Sequence, residues 1–262
     1  MDTVAITGAA GRVGSVLRDG LQPLASELRL IDRVPLEELR DNERAYTLDL
    51  GDLDGHTAAF EGAQAVVHLG GVPDESTFDH VVEANIVGCY NAFEASRRAG
   101  VSRIVFASTN HVVGFYPRDQ RISPADPPRP DSLYGVSKSY GEALARLYYD
   151  KWDLEAVCLR IGSFRARPEN VRQLSTWLSH RDTVELARCA IETPDVGYQV
   201  VFGVSANDRS WWDNSVAEQV LGFVPQDNAE AFADEIPEED EGLGGGYHGG
   251  LFVEPDYRGG QG

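Results

Sequence analysis

The chain has 262 residues, 42% apolar and 25% charged, enough for one large domain with a substantial core. Its formal net charge of −19 sets it against nucleic acid, whose phosphates attract basic faces. No apolar run approaches the roughly 18 residues that a membrane span needs, and Met1-Asp2-Thr3-Val4 has neither a basic region nor a cleavage site, so a cytoplasmic protein is expected. Cys89, Cys158 and Cys189 are far apart in apolar segments and read as buried free thiols; without a C-x-x-C pair, no disulfide framework and no metal site is expected. Lysine occurs only at Lys138 and Lys151. An acidic, lysine-poor surface suits high salt, which screens self-repulsion.

Strand patterns fall at Thr3–Thr7, Leu28–Asp32, Ala45–Asp49, Ala65–His68, Arg103–Ala107 and Glu155–Arg160. Helical patterns fall between them, at Arg12–Gln22, Leu53–Phe60, Phe78–Ala99 and Ser132–Lys151. This alternation predicts an α/β fold, a Rossmann-type doubly wound parallel sheet, over residues 1–162. The first strand runs into Gly8-Ala9-Ala10-Gly11-Arg12-Val13-Gly14. There Gly8 permits a tight turn, Gly11 lets backbone approach a pyrophosphate, and Gly14 lets helix pack on strand, so Gly8, Ala10, Gly11, Arg12, Val13 and Gly14 are expected to bind a dinucleotide. Asp32 ends the next strand, where a carboxylate takes the adenosine ribose hydroxyls and favours NAD; the neighbouring Arg33 leaves NADP open.

Tyr134-Gly135-Val136-Ser137-Lys138 opens the fourth helix. Positions i and i+4 share a face, so Tyr134 and Lys138 can enter one cleft. A phenol titrates near 10, and a nearby ammonium together with the positive nicotinamide ring is expected to lower it, making Tyr134 a base and Lys138 its activator. One of only two lysines stands in this motif. After Gly162 the rhythm breaks. A polar segment, Ser163–Arg172, and further helices are expected to form a small C-terminal substrate-binding cap over 163–236, with a strand at Gln199–Gly203 returning to the core. The acidic, glycine-rich run Pro237–Gly246 opens a tail, 237–262, and is expected to be mobile. The apolar Tyr247–Tyr257 is expected to pack on this subunit or on a neighbour.

Together these motifs resemble the short-chain dehydrogenase/reductase superfamily in its extended branch, over nearly the whole chain. The resemblance implies a hydroxyl at Thr109, in Ile104-Val105-Phe106-Ala107-Ser108-Thr109, that holds the reacting oxygen, with Ser108 as support. It implies further cofactor contacts at Asp49, Leu50, Leu69, Gly70, Gly71, Asn85 and Ile161, and a homo-oligomer built on Phe78–Ala99 and Ser132–Lys151. Longer segments are similar to the uronate dehydrogenases: Phe106–His111, Arg129–Lys138, Arg160–Ser163, Leu174–Trp177, Ser205–Asp208, Trp211–Asn214 and Gly249–Val253. These imply NAD-dependent oxidation of the C1 hydroxyl of a cyclic uronic acid to a lactone, with Thr109, Asn110, His111, Ser163 and Arg172 on the substrate. Arg172 suits a carboxylate independently, since its planar fork matches one bidentately. One departure is Pro73, where that family has a serine touching the sugar; proline brings neither a hydroxyl nor an amide hydrogen. Related enzymes of salt-loving archaea act on glucose 6-phosphate or on pentoses such as L-arabinose, so a neutral or phosphorylated sugar stays open. A non-catalytic NAD(P)-sensing regulator is the remaining reading, against which Thr109, Tyr134 and Lys138 together speak.

Overall fold

The computed structural model describes residues 1–237 and 246–259. In chain order the regular elements are β1 (Thr3–Thr7), α1 (Arg12–Leu21), β2 (Glu27–Asp32), β3 (Glu43–Thr47), α2 (Leu53–Phe60), β4 (Ala65–His68), α3 (Phe78–Val81), α4 (Gly88–Arg98), β5 (Arg103–Thr109), α5 (Leu133–Trp152) and β6 (Glu155–Ile161). Then follow β7 (Ser163–Phe164), α6 (Gln173–Thr176), β8 (Trp177–Leu178), α7 (His180–Glu192), β9 (Tyr198–Gly203) and α8 (Ser215–Leu221).

Seven strands form one sheet in the order β3-β2-β1-β4-β5-β6-β9, and every pairing in it is parallel. This is the expected doubly wound arrangement. Alternation along β1 sends Val4 and Ile6 to one face and Ala5 to the other. On the first face they meet Leu17 and Leu21 of α1, Leu186 of α7 and Leu221 of α8; on the second, Ala5 joins Phe60, Phe93 and Leu144 from α2, α4 and α5. Cys89, Cys158 and Cys189 are buried free thiols. The strand order reverses between β1 and β4, so the carboxyl ends of β1, β2, β4, β5 and β6 open onto one crevice.

Two elements depart from expectation. The third strand is Glu43–Thr47 rather than Ala45–Asp49. Its polar start is stabilised by tertiary contact: Arg18 reaches the buried Glu43 carboxylate at 2.7 Å. Beyond Thr47, Asp49 leaves the strand and accepts a hydrogen bond from Gly51 N at 2.8 Å. The helix expected over Phe78–Ala99 is interrupted by a π-helical segment, Val82–Val87, the kind of widened turn that accompanies functional sites.

The stretch expected as a cap with a return strand divides its residues, and more of it than the strand joins the core. Here α7, β9 and α8 belong to the sheet layers, while Ser163–Thr176 lies over the crevice. The run expected to be mobile falls, apart from its ends, outside the described residues. The segment 246–259 packs on the same subunit. It pairs Tyr247 with Pro117 and donates from His248 N to Tyr116 O (2.9 Å) and from Gly249 N to Gly114 O (2.9 Å).

Candidate active site

A single cleft of about 850 Å³ runs over the carboxyl ends of the strands, from Asp32 and Asp49 at one end to Arg172 and Phe252 at the other. At its first end the glycine loop is a cradle that side chains would fill. Gly8 has φ +71°, and a Cβ there would lie 2.8 Å from Gly70 N; a Cβ at Gly14 would lie 2.2 Å from Gly8 O. Gly11 caps α1 without a side-chain hydrogen bond, so the first turn presents bare N–H groups where an anion is stabilised by the helix dipole. Asp32 is fixed by Ala10 N (2.9 Å) and Val34 N (3.0 Å). Arg12, Val13 and Arg33 line the same end, as do Asp49 and Leu50; Leu50 packs where side chains at Gly70 or Gly88 would collide with it. These residues fit a dinucleotide: the pyrophosphate over Gly11 and the ribose on Asp32.

Leu69, Gly70 and Gly71 form the cleft's wall beside β4. Gly71 has φ +145°, and a Cβ there would sit 2.6 Å from Asn85 Oδ1. Asn85 itself does not line the cleft. Buried within the π-helical turn, it accepts from Val72 N (2.7 Å) and donates to Val72 O (3.1 Å) and Ser137 Oγ (3.0 Å). The widened turn thus ties the Gly71–Val72 wall to α5.

Helix α5 starts where Ser132 Oγ accepts from Gly135 N (3.0 Å). Glu75 adds a second clamp, its Oε2 accepting from Tyr134 N (3.0 Å). A Cβ at Gly141 would lie 2.3 Å from Phe106, so α5 lies close on β5. Tyr134 and Lys138 therefore share the cleft, with Nζ 5.7 Å from the phenol ring centre. Lys138 Nζ donates to Ala107 O at 2.9 Å. Burial pushes the Tyr134 phenol up to about 12; a hydrogen bond with Thr109 opposes this, while Asp74 and Asp131 add to it. Burial likewise pulls Lys138 down to about 8. In the protein alone, desolvation dominates both groups.

Thr109 ends β5, buried and facing Tyr134. Its neighbour Ser108 points elsewhere, donating to Glu142 Oε1 (2.6 Å), a carboxylate also held by Arg160 (2.8 Å). At the far end Arg172 Nε donates to His248 O (2.8 Å) and a terminal nitrogen to Ser163 Oγ (3.3 Å). Asn110, with its amide oriented to satisfy both ends, accepts from Arg172 (2.8 Å) and donates to Ile161 O (3.1 Å). Among the described residues no carboxylate lies within ion-pair distance of Arg172, and burial pulls the guanidinium down to about 10. His111 meets Asp131 at 2.8 Å and stacks on Phe252 with centroids 3.6 Å apart. Pro73 lines the cleft as well.

Sequence reasoning thus named the residues on the sheet side but gave no role to those that close the other side. Phe252, Gly249 and Gly250 line the cleft, and Tyr257 donates from its hydroxyl to Asp74 Oδ1 (3.0 Å). The one signal for them is the similarity of Gly249–Val253 to a known family's tail.

The model of the NAD dependent epimerase/dehydratase family matches residues 4–181. The chain is 46% identical to the uronate dehydrogenase of Agrobacterium fabrum over 260 residues, 97% of each protein. It is 38% identical to the NAD-dependent glucose-6-phosphate dehydrogenase of Haloferax volcanii, covering 91% of this chain and 98% of that one. A mutant uronate dehydrogenase of Agrobacterium tumefaciens, solved in complex with NAD, superposes with a TM-score of 0.92 at 46% identity over 97% of both chains. The strand that feeds a glycine cradle, the acidic end of β2 and the Tyr134–Lys138 pair on α5 fall within the matched residues, and the chain belongs to the NAD dependent epimerase/dehydratase family, the extended short-chain dehydrogenases/reductases.

Proposed function

We propose that this protein oxidises the C1 hydroxyl of a cyclic uronic acid, such as glucuronate or galacturonate, to the lactone, with NAD as hydride acceptor. The observation that carries the substrate class is Arg172. A guanidinium has five N–H donors, and three are taken by His248 O, Ser163 Oγ and Asn110 Oδ1. One N–H on each terminal nitrogen is left, the pair that grips a carboxylate. A partly buried cation with no acidic partner among the described residues is costly unless a ligand supplies the charge.

In this reading Gly8, Gly11, Gly14 and Asp32 hold the dinucleotide, and Leu69–Gly71 and Ile161 shape the wall beside its ring. When bound, NAD supplies the hydride acceptor and a positive charge that favours the phenolate. Tyr134 removes the C1 hydroxyl proton, Thr109 holds that oxygen, and Lys138 keeps the pocket electropositive. His111 and Asn110 border the sugar. The protein works as a homo-oligomer in the cytoplasm; exposed Tyr90 of α4 with Leu147 and Trp152 of α5 gives apolar surface for a subunit contact. Among the described residues no helix is long and apolar enough to cross a membrane.

Pro73 favours a second reading, an aldose 1-dehydrogenase for a neutral or phosphorylated sugar, because no hydroxyl stands there to meet a uronate. The test is turnover with NAD on glucuronate, galacturonate, glucose, L-arabinose and glucose 6-phosphate, followed by absorbance of the reduced cofactor. Oxidation of uronates, with a KM raised about 10-fold or more in Arg172→Ala, supports the first reading. Turnover of neutral sugars alone refutes it.

A further inference from the structure

Asp131 is the last residue before the cap of α5, and its side chain is fully buried. Oδ2 faces His111 Nδ1 at 2.8 Å, Oδ1 accepts from Ser132 Oγ at 2.8 Å, and its backbone N donates to His111 O at 3.3 Å. Two other segments make room for this carboxylate. A Cβ at Gly114 would lie 1.7 Å from Oδ2, and one at Gly249 would lie 2.1 Å from it. Among the described residues its ion-pair partner is the imidazole of His111. A carboxylate facing Nδ1 as acceptor places a hydrogen on Nδ1, and in that tautomer Nε2 keeps a lone pair. The ring is held in place by Phe252 on its face and by Tyr134, whose ring centre is 6.0 Å away.

The acceptors already at the sugar end are engaged: Asp74 takes the Tyr257 hydroxyl (3.0 Å) and Ser163 Oγ takes an Arg172 N–H (3.3 Å). Lys138 and Arg172 carry no acceptor. Asn110 has its oxygen on Arg172 and its nitrogen on Ile161 O. A sugar ring brings hydroxyl hydrogens that need acceptors, and His111 lines the cleft. We propose that Asp131 is a positioning residue that acts through His111: it fixes the imidazole in its Nδ1–H form so that Nε2 accepts a hydrogen bond from a sugar hydroxyl beside the reacting carbon. This rests on the cleft being a sugar site, but it needs only a ring hydroxyl, not the uronate carboxylate.

The test is a double-mutant cycle on kcat/KM for the best sugar substrate, using Asp131→Asn, His111→Ala and the pair. Asp131→Asn should lower kcat/KM about 10- to 100-fold, mostly through sugar KM, with NAD KM within about twofold. In the His111→Ala background the same substitution should add less than about threefold. Additive losses, or equal losses on NAD and sugar, would overturn the proposal. The second readout is the tautomer of His111, by long-range ¹H–¹⁵N correlation in histidine-labelled wild-type protein. Nδ1–H supports the proposal; Nε2–H overturns it even if Asp131→Asn does not fold. Absence of turnover with every sugar would refute the proposed function, while the tautomer, recorded without substrate, still decides the role of Asp131.

Discussion

Burial drives Tyr134 and Lys138 toward their neutral forms, the phenol to about 12 and the ammonium to about 8. The folded value of Lys138 lies below its ordinary 10.5. The folded state therefore carries a charge penalty in full below pH 8, and the penalty fades as pH rises from 8 to 10.5. Lys138→Met removes it. That variant is expected to lose turnover and yet gain stability at pH 7, on the order of 2 kcal/mol. Urea unfolding at pH 7 and near pH 10.5 checks this: the gain should be present at the first and shrink at the second. A variant less stable than its parent at pH 7 would show that the bond to Ala107 O and the flanking rings outweigh desolvation.

The glycine cradle makes a sharper prediction between elements. A Cβ at Gly14 meets backbone, Gly8 O at 2.2 Å and Ala9 Cα at 2.8 Å, so in Gly14→Ala helix α1 has to move off β1. Its N-terminus then leaves the pyrophosphate position, and NAD Kd should rise about 10-fold or more. Gly62 has φ +73° with nothing within 4 Å of a Cβ. There Ala should cost about 1 kcal/mol in backbone strain and leave NAD binding unchanged. Titration of both variants with NAD, alongside their Tm, separates the two effects; equal loss of NAD affinity would refute this reading of Gly14. The cradle was legible in sequence because its contacts are local: strand, turn and helix follow one another within a dozen residues. Tyr134 and Lys138 were legible for the same reason, as one turn of one helix. The start of β3 was not, because Glu43 becomes strand only through Arg18, 25 positions away. Nor was the π-helical turn, which exists for what Asn85 reaches on another segment. The stacking of Phe252 on His111 joins segments more than a hundred residues apart, and no periodicity reports that.

Over the whole molecule 42 acidic residues face 23 basic ones. Surface pairs such as Arg146–Asp150 and Arg209–Glu230 are exposed and screened by solvent, too weak to offset so large an excess. Salt weakens those pairs and also screens the repulsion, and the excess decides the sign. Tm is therefore expected to climb as salt rises from 0.1 M toward 2 M, as the screening length falls from about 10 Å to 3 Å or less. A Tm highest at the lowest salt would refute this.

The segment 246–259 has one further consequence. The residues proposed to hold the dinucleotide lie before residue 165, while Phe252 and the His248 carbonyl that steadies Arg172 come more than seventy positions after Arg172 itself. A chain that has lost this segment, through a premature stop or a protease, would still be retained on an immobilised nucleotide and pass as intact enzyme by that criterion. It would present a charged dinucleotide to a sugar pocket with one side missing, so only turnover, and not retention, reports whether a preparation is whole.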